Sequence, residues 1–416
     1  MNFFALAYNL LFFALVKVLI IHQHFRLPDE GGAIRSYFLA RALVERGIHV
    51  EVITASTVGA YNLKVVEGIN VHYLPVAYEN KFGFWERTNA FLKFTWGAAS
   101  LGARLPAIDL CYAISVPLTT GIAAMWLKQT RRLPFVFEVG DLWPDAPIAL
   151  GFVKDPVLKA ILLKLERAIY TNATSVVALS NPIKSAITRK VPDKTVQVIP
   201  NMSDTEFFGT RGNDAEFRAR HGLSEQFVVS YIGAVGFANG LDHLIDCARS
   251  AQQSALSVYF FICGDGALVD QHKLNAKRLN LDNLTFLPFT NRQGVKEIMD
   301  ATDAVFVSYK PFRVLETGSP NKYFDGLAAG KLILLNFEGW IKEEVEREAC
   351  GVYIDRQQPE KFARLITPFL QERALLRRYQ LAARDLALRR YSRIQLGEQF
   401  VALVQATVNQ FEPPVN

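Results

Sequence analysis

Short apolar runs alternate with stretches of helical period along this chain, and the alternation happens twice. Val16–Ile21 is an apolar run of the kind expected of a strand buried on both faces. A loop containing Gly31 and Gly32 follows, then a helical stretch from Ile34 to Arg46 with apolar positions at Tyr37, Phe38, Ala40, Leu43 and Val44. That stretch stops at Gly47, and Val50–Thr54 is the next strand. Strand, glycine loop, helix, strand is a β-α-β unit. Asp109–Ile114, Pro134–Val139, Ser175–Leu179 and Val196–Asn201 read as further strands, and Val157–Tyr170 as an amphipathic helix. Polar, charge-rich residues 203–226 read as a surface connection. The pattern then restarts at Phe227, whose strand runs into a glycine turn at Gly233–Gly240. Strands are predicted again at Ser257–Cys263, Leu284–Pro288, Ala304–Ser308 and Leu332–Asn336, with helices between them. Arg- and Leu-rich helices fill Pro359 to Phe411.

The fold class is therefore α/β, with two Rossmann-like doubly wound domains. The expected organisation is an apolar leader at 1–15, a first domain at 16–202, a linker at 203–226, a second domain at 227–385, and a C-terminal helix at 386–416 that packs back on the first domain. A length of 416 residues suits two domains of roughly 200 residues each.

The stretch from Glu316 to Asn336 carries the densest candidate chemistry. It reads as a polar loop through Gly318, Ser319, Pro320 and Asn321, a short helix, and an apolar strand. Ser319 is the expected N-cap and Pro320 the first helical residue, with Gly330 ending the helix. Unpaired N–H groups at such a start, with Gly318 beside them and Lys322 one turn in, make an anion seat suited to a phosphate or diphosphate. Glu316 and Asp325 flank it, and acidic groups in that position suit sugar and ribose hydroxyls. The alternative is a capped helix with solvated charges.

Composition narrows the partners. The net charge of +6 and pI near 9.0 fit an anionic ligand such as a nucleotide-sugar or lipid headgroups. No dense basic run of the nucleic-acid kind occurs, so no nucleic-acid partner is expected. Cys111, Cys247, Cys263 and Cys350 are scattered without C-x-x-C spacing and read as reduced, buried thiols. The leader at 1–15 is shorter than the roughly 20 residues a spanning helix needs and lacks a basic start. It is expected to be an interfacial helix or to result from an upstream start codon. Residues 81–105 mix aromatics with Lys81, Arg87, Lys93 and Arg104. Such a helix either rests on a membrane surface or packs on the sheet with its cations snorkelling. Localisation is thus read as cytoplasmic and peripheral at the inner face of the membrane.

Asp141 stands just past a predicted strand, where open α/β sheets bind ligands, with Glu138 a weaker candidate. Gly264 and Asp265 are weaker candidates at a strand end of the second half. His22 and His24 close the first strand and read as packed or capping histidines. No D-x-D, H-E-x-x-H, P-loop or G-x-S-x-G motif occurs, so neither a metal site nor a cofactor is expected.

Ser319-Pro-Asn-Lys322, followed by Phe324-Asp325, Leu327-Ala-Ala-Gly-Lys331 and an apolar strand, resembles the donor-site segment of glycosyltransferase family 4. His22–Ser36 and Asp141–Pro147 resemble the first glycine loop and a mid-domain motif of its WbuB-like, L-fucosamine-transferase-like subgroup. The resemblance runs from about Val16 to the C-terminal helices. It implies the GT-B fold, with two domains facing across a cleft. It also implies a metal-independent retaining transfer from a nucleoside-diphosphate sugar, with UDP the expected nucleotide. The acceptor would be a glycan or lipid-linked glycan in bacterial surface polysaccharide biosynthesis, O-antigen or capsule, and the sugar a hexose or N-acetylhexosamine.

In that scheme Asp141, Glu316 and Lys322 are catalytic. Gly31, Gly32, Arg35, Gly318, Ser319, Pro320, Asn321 and Asp325 bind the donor, Asp325 at the ribose and Glu316 at the sugar. The chain departs from the family in three places. Gly140 stands where many members have histidine. Eight residues rather than seven separate Glu316 from Asp325. The turn Gly233–Gly240 lacks the usual Arg and Lys. A nucleotide-sugar epimerase of the same fold and a catalytically inactive assembly scaffold are the alternatives.

Overall fold

The computed structural model describes residues 16–32, 34–79, 82–209, 212 and 214–411. The expectations for the leader at 1–15 lie outside the described residues. The chain divides into two compact units. One comprises residues 1–27, 33–200 and 394–416, the other residues 28–32 and 201–393.

The first unit is built on β1 (Lys17–Ile21), α1 (Arg35–Glu45), β2 (His49–Ser56), β3 (Asn62–Val66), β4 (Ile69–Pro75), α2 (Phe84–Arg104), β5 (Leu110–Ile114), α3 (Thr120–Arg131), β6 (Phe135–Val139), α4 (Asp145–Ala149), α5 (Pro156–Asn172), β7 (Ser175–Ala178), α6 (Asn181–Lys190) and β8 (Val196–Val198). Its sheet runs β3-β4-β2-β1-β5-β6-β7-β8. All pairings are parallel except β3–β4, a hairpin whose central residues Glu67 and Gly68 both have positive φ. The sequence pattern misses this hairpin because β3 is exposed along most of its length and shows no apolar face. Val18, Leu19, Ile20 and Ile21 are fully buried, as a central parallel strand requires.

The second unit contains α7 (Ala215–Arg220), β9 (Phe227–Ile232), α8 (Asp242–Gln253), β10 (Val258–Cys263), α9 (Val269–Arg278), β11 (Leu284–Leu287), α10 (Arg292–Ala301), β12 (Ala304–Val307), α11 (Asn321–Ala328), β13 (Leu332–Leu335), α12 (Trp340–Arg347), β14 (Gly351–Tyr353), α13 (Phe362–Gln371) and α14 (Arg373–Arg390). Its six strands are all parallel, in the order β11-β10-β9-β12-β13-β14. Counted from β9, that is 3-2-1-4-5-6, the Rossmann order. Residues 203–226, expected as a surface connection, belong to this unit: Phe208 and Phe217 are buried in its hydrophobic clusters. The last helix, α15 (Arg393–Asn409), falls from Ile394 onward in the first unit. There Phe400 meets the Tyr112 ring edge-on at 4.8 Å.

Candidate active site

In the second unit β9 lies between β10 and β12, so the connections leave in opposite directions and open a crevice at the carboxyl ends of the strands. Two lysines reach the glycine turn there. A Cβ placed on Gly233 would lie 3.2 Å from Cε and 3.7 Å from Nζ of Lys322. The Lys322 ammonium stands 5.0 Å from the Tyr231 ring centroid and 5.6 Å from that of Tyr309, within cation–π range of both. Lys310, just beyond β12, donates its backbone N–H to the Ala238 carbonyl at 2.8 Å. Its ammonium sits 3.6 Å from the Phe237 ring centroid. The sequence singles out Lys322 but not Lys310, which lies far along the chain from the turn. The available signal was a polar Tyr309-Lys310 pair directly after a buried strand.

The loop before α11 differs from expectation. The N-cap is Pro320, and the helix begins at Asn321. Ser319 is buried, and its hydroxyl accepts the backbone N–H of Asn201 at 3.4 Å instead of capping the helix. The Gly318 N–H donates to the Leu315 carbonyl, and Pro320 has no N–H to give. Of the groups expected to make an anion seat at this helix start, the N–H groups of Asn321 and Lys322 are the ones in the first helical turn. Glu316 lies half-buried in a short 3-10 turn, Leu315–Thr317. Asp325 is half-buried on α11, and burial pushes its carboxyl up to about 7. Arg292 and Lys322 pull that value down, while Asp204 raises it. Asp204 is itself paired with Arg292, whose guanidinium stacks on the Phe207 ring.

Gly264 and Asp265 shape the turn. Gly264 has φ of 147°, and a Cβ there would be 1.9 Å from the Gly233 carbonyl oxygen, so only glycine lets the two strand-end turns cross. Asp265 is exposed and accepts the N–H of Gly266 at 2.8 Å. Gly31 and Gly32 group with the second unit. A Cβ on Gly31 would lie 3.0 Å from the Thr290 carbonyl oxygen and 3.1 Å from the Phe289 ring. These two follow β11, two strands from β9.

Arg35 has a different occupation from the expected one. It is buried and grips Glu138 through Nε (3.0 Å) and Nη2 (2.9 Å), and it donates to the carbonyls of Ile199 (2.9 Å) and Pro200 (2.6 Å). Tyr112 donates to the same Glu138 at 2.5 Å. Arg35 and Glu138 thus neutralise each other inside the first unit. Asp141 is exposed just past β6.

All four cysteines are free and buried. Among the described residues no cluster of three His, Cys, Asp or Glu could hold a metal ion. No helix among them is long and apolar enough to cross a membrane.

Residues 30–202 match the family described as glycosyl transferase 4-like domain, and residues 213–386 match glycosyl transferases group 1. The chain belongs to the GT-B glycosyltransferases. A curated relative, the alpha-D-kanosaminyltransferase of Streptomyces kanamyceticus, is 22% identical over 60% of this chain and 64% of its own length. Among solved structures, the GT-B fold is shared with sucrose-phosphate synthase of Thermosynechococcus elongatus (TM-score 0.76, 17% identity, 95% of this chain and 100% of that one). It is shared too with the Anabaena protein HepE in complex with UDP-glucose (TM-score 0.68, 17% identity, 94% and 99%).

Proposed function

We propose that this glycosyltransferase moves a sugar, with retention of anomeric configuration, from a nucleoside-diphosphate sugar to a glycan or lipid-linked glycan, without a metal ion. The observation that carries the reading is the pair of ammonium groups, Lys322 and Lys310, on the glycine turn Gly233–Gly240 at the strand-order reversal. Breaking the anomeric C–O bond collects negative charge on the departing diphosphate. Two fixed cations and the N–H groups of Asn321 and Lys322 stabilise that charge as it develops. Lys310 supplies from another strand the second charge that the turn itself lacks. Asp325 holds the ribose hydroxyls and Glu316 the donor sugar, while the first unit holds the acceptor near Asp141. UDP is the nucleotide favoured, since HepE carries UDP-glucose.

The WbuB-like motifs favour surface-polysaccharide assembly. One face of α2 supports a peripheral membrane setting: Trp85, Leu92 and Trp96 are 78%, 54% and 74% exposed in one stripe, with exposed Lys93 beside them. The test is UDP binding by calorimetry together with donor turnover. Lys322→Ala is expected to weaken UDP about tenfold or more, and EDTA to leave turnover intact. Unchanged UDP affinity in Lys322→Ala removes the lysine from the site, and loss of turnover in EDTA overturns the metal-free mechanism.

A further inference from the structure

The carboxyl edge of the first sheet carries an aromatic cluster that the reading above does not use. His24 follows β1, Tyr78 follows β4, Phe82 and Phe91 come from the α2 region, and Trp143 follows β6. The rings form a continuous set. His24 meets Tyr78 edge-on at 4.7 Å, and Tyr78 stacks on Phe91 at 5.6 Å with 20° between planes. Phe82 lies 6.2 Å from Tyr78, and Trp143 stands edge-on to Phe91 at 6.5 Å. None of the five is fully buried, so the cluster keeps ring surface open to solvent. Burial lowers His24 to about 4, with Arg26 assisting, so its ring is neutral at pH 7.

A second observation falls at the same edge. Gln23, next to His24, is 2% exposed, and neither its amide nitrogen nor its oxygen has a hydrogen-bond partner among the described residues. The Ser115 hydroxyl, at the end of the adjacent strand β5, is buried and equally without one. Unpartnered buried polar groups each cost about 1–3 kcal/mol. A hydroxyl-rich ligand at this edge offers the donors and acceptors they lack. Exposed Asp141 and Glu79 stand near in the chain, and the charges of Arg26 and Arg87 act on the His24 and Tyr78 rings, so the rim carries both signs.

Aromatic faces beside amide, hydroxyl and carboxylate groups are suited to a sugar ring, which is apolar on its C–H face and polar at its edge. We propose that His24, Tyr78, Phe82, Phe91 and Trp143 form a stacking platform for a neutral pyranose of the acceptor, with Asp141 at its rim. This rests on the glycosyltransferase reading and specifies it: the acceptor is recognised by a sugar ring rather than by its lipid.

The experiment is saturation-transfer NMR on the full chain with a panel of methyl pyranosides and the matching octyl glycosides, alongside UDP binding. At least one methyl pyranoside is expected to receive saturation through its C–H protons. Tyr78→Ala and Trp143→Ala should weaken it about tenfold, while Tyr78→Phe and Trp143→Phe retain most of the affinity. UDP binding should be the same in all four variants, and an unchanged far-UV circular dichroism spectrum and cooperative melting of the first unit show that they fold. The proposal is overturned if no methyl pyranoside binds while UDP does, or if the alanine variants bind as the parent does. It also falls if only octyl glycosides bind, whatever their sugar, which would mark a lipid site. Loss of UDP binding by the parent chain would instead remove the underlying glycosyltransferase reading.

Discussion

Arg35 shows how burial redirects a charged side chain. Sequence position beside the first glycine loop suggested a donor contact, yet its guanidinium is spent on Glu138 and two carbonyls. Removing one partner of such a pair leaves a buried charge unpaired, a loss of about 3–5 kcal/mol. Arg35→Met is therefore expected to lower the midpoint of urea unfolding markedly while the folded fraction binds UDP as before. Asp325 behaves differently. Its carboxyl is raised from 3.8 to about 7 by burial, so the folded state holds a proton that the unfolded state has lost between those values. Stability from this group is full below the unfolded value and declines as pH rises toward 7. Asp325→Asn should then gain melting temperature relative to the parent at pH 8 but not at pH 4. If the ionised form accepts ribose hydroxyls, UDP affinity should rise with pH through about 7 and then level off, and a flat profile would take Asp325 out of the nucleotide site.

At the scale of the element, most strands and the glycine turns were legible because parallel strands buried on both faces write themselves as unbroken apolar runs, as Ala304–Val307 and Leu332–Leu335 do. The β3–β4 hairpin and the N-cap of α11 were not. Both depend on partners distant in sequence: β4 for an exposed strand, Asn201 for the Ser319 hydroxyl. Lys310 escaped for the same reason, since only the fold carries it to Phe237. Helix α2 left two readings open, rest on a membrane surface or packing on the sheet, and its burial shows one packed face and one exposed face. Ala90, Phe94, Ala98 and Ala99 face inward, while Trp85, Leu92 and Trp96 face out. Trp85→Ser with Trp96→Ser should reduce co-sedimentation with anionic vesicles severalfold and leave the melting temperature nearly unchanged, because neither indole is buried.

For the whole molecule, the two units are each an open α/β sheet of mainly parallel strands, and each offers ligands the carboxyl ends of its strands. The second collects the cationic chemistry and the first the aromatic and amide chemistry. Their connectivity is unequal. The second unit is nearly one continuous stretch, residues 201–393 with a short insert from 28–32, whereas the first is completed only by α15. Phe400 lies against Tyr112, Gly397 against Ala42, and Arg46 pairs with Glu398 at 3.0 Å. A fragment of residues 16–200 is thus expected to expose the Tyr112 side of its sheet and to aggregate. Soluble, cooperative unfolding of that fragment would show that the last helix is dispensable.

The same connectivity sets an order of events at the ribosome. The half translated first must wait, with an apolar face uncovered, while all of the other half emerges and folds; only then does its closing helix arrive.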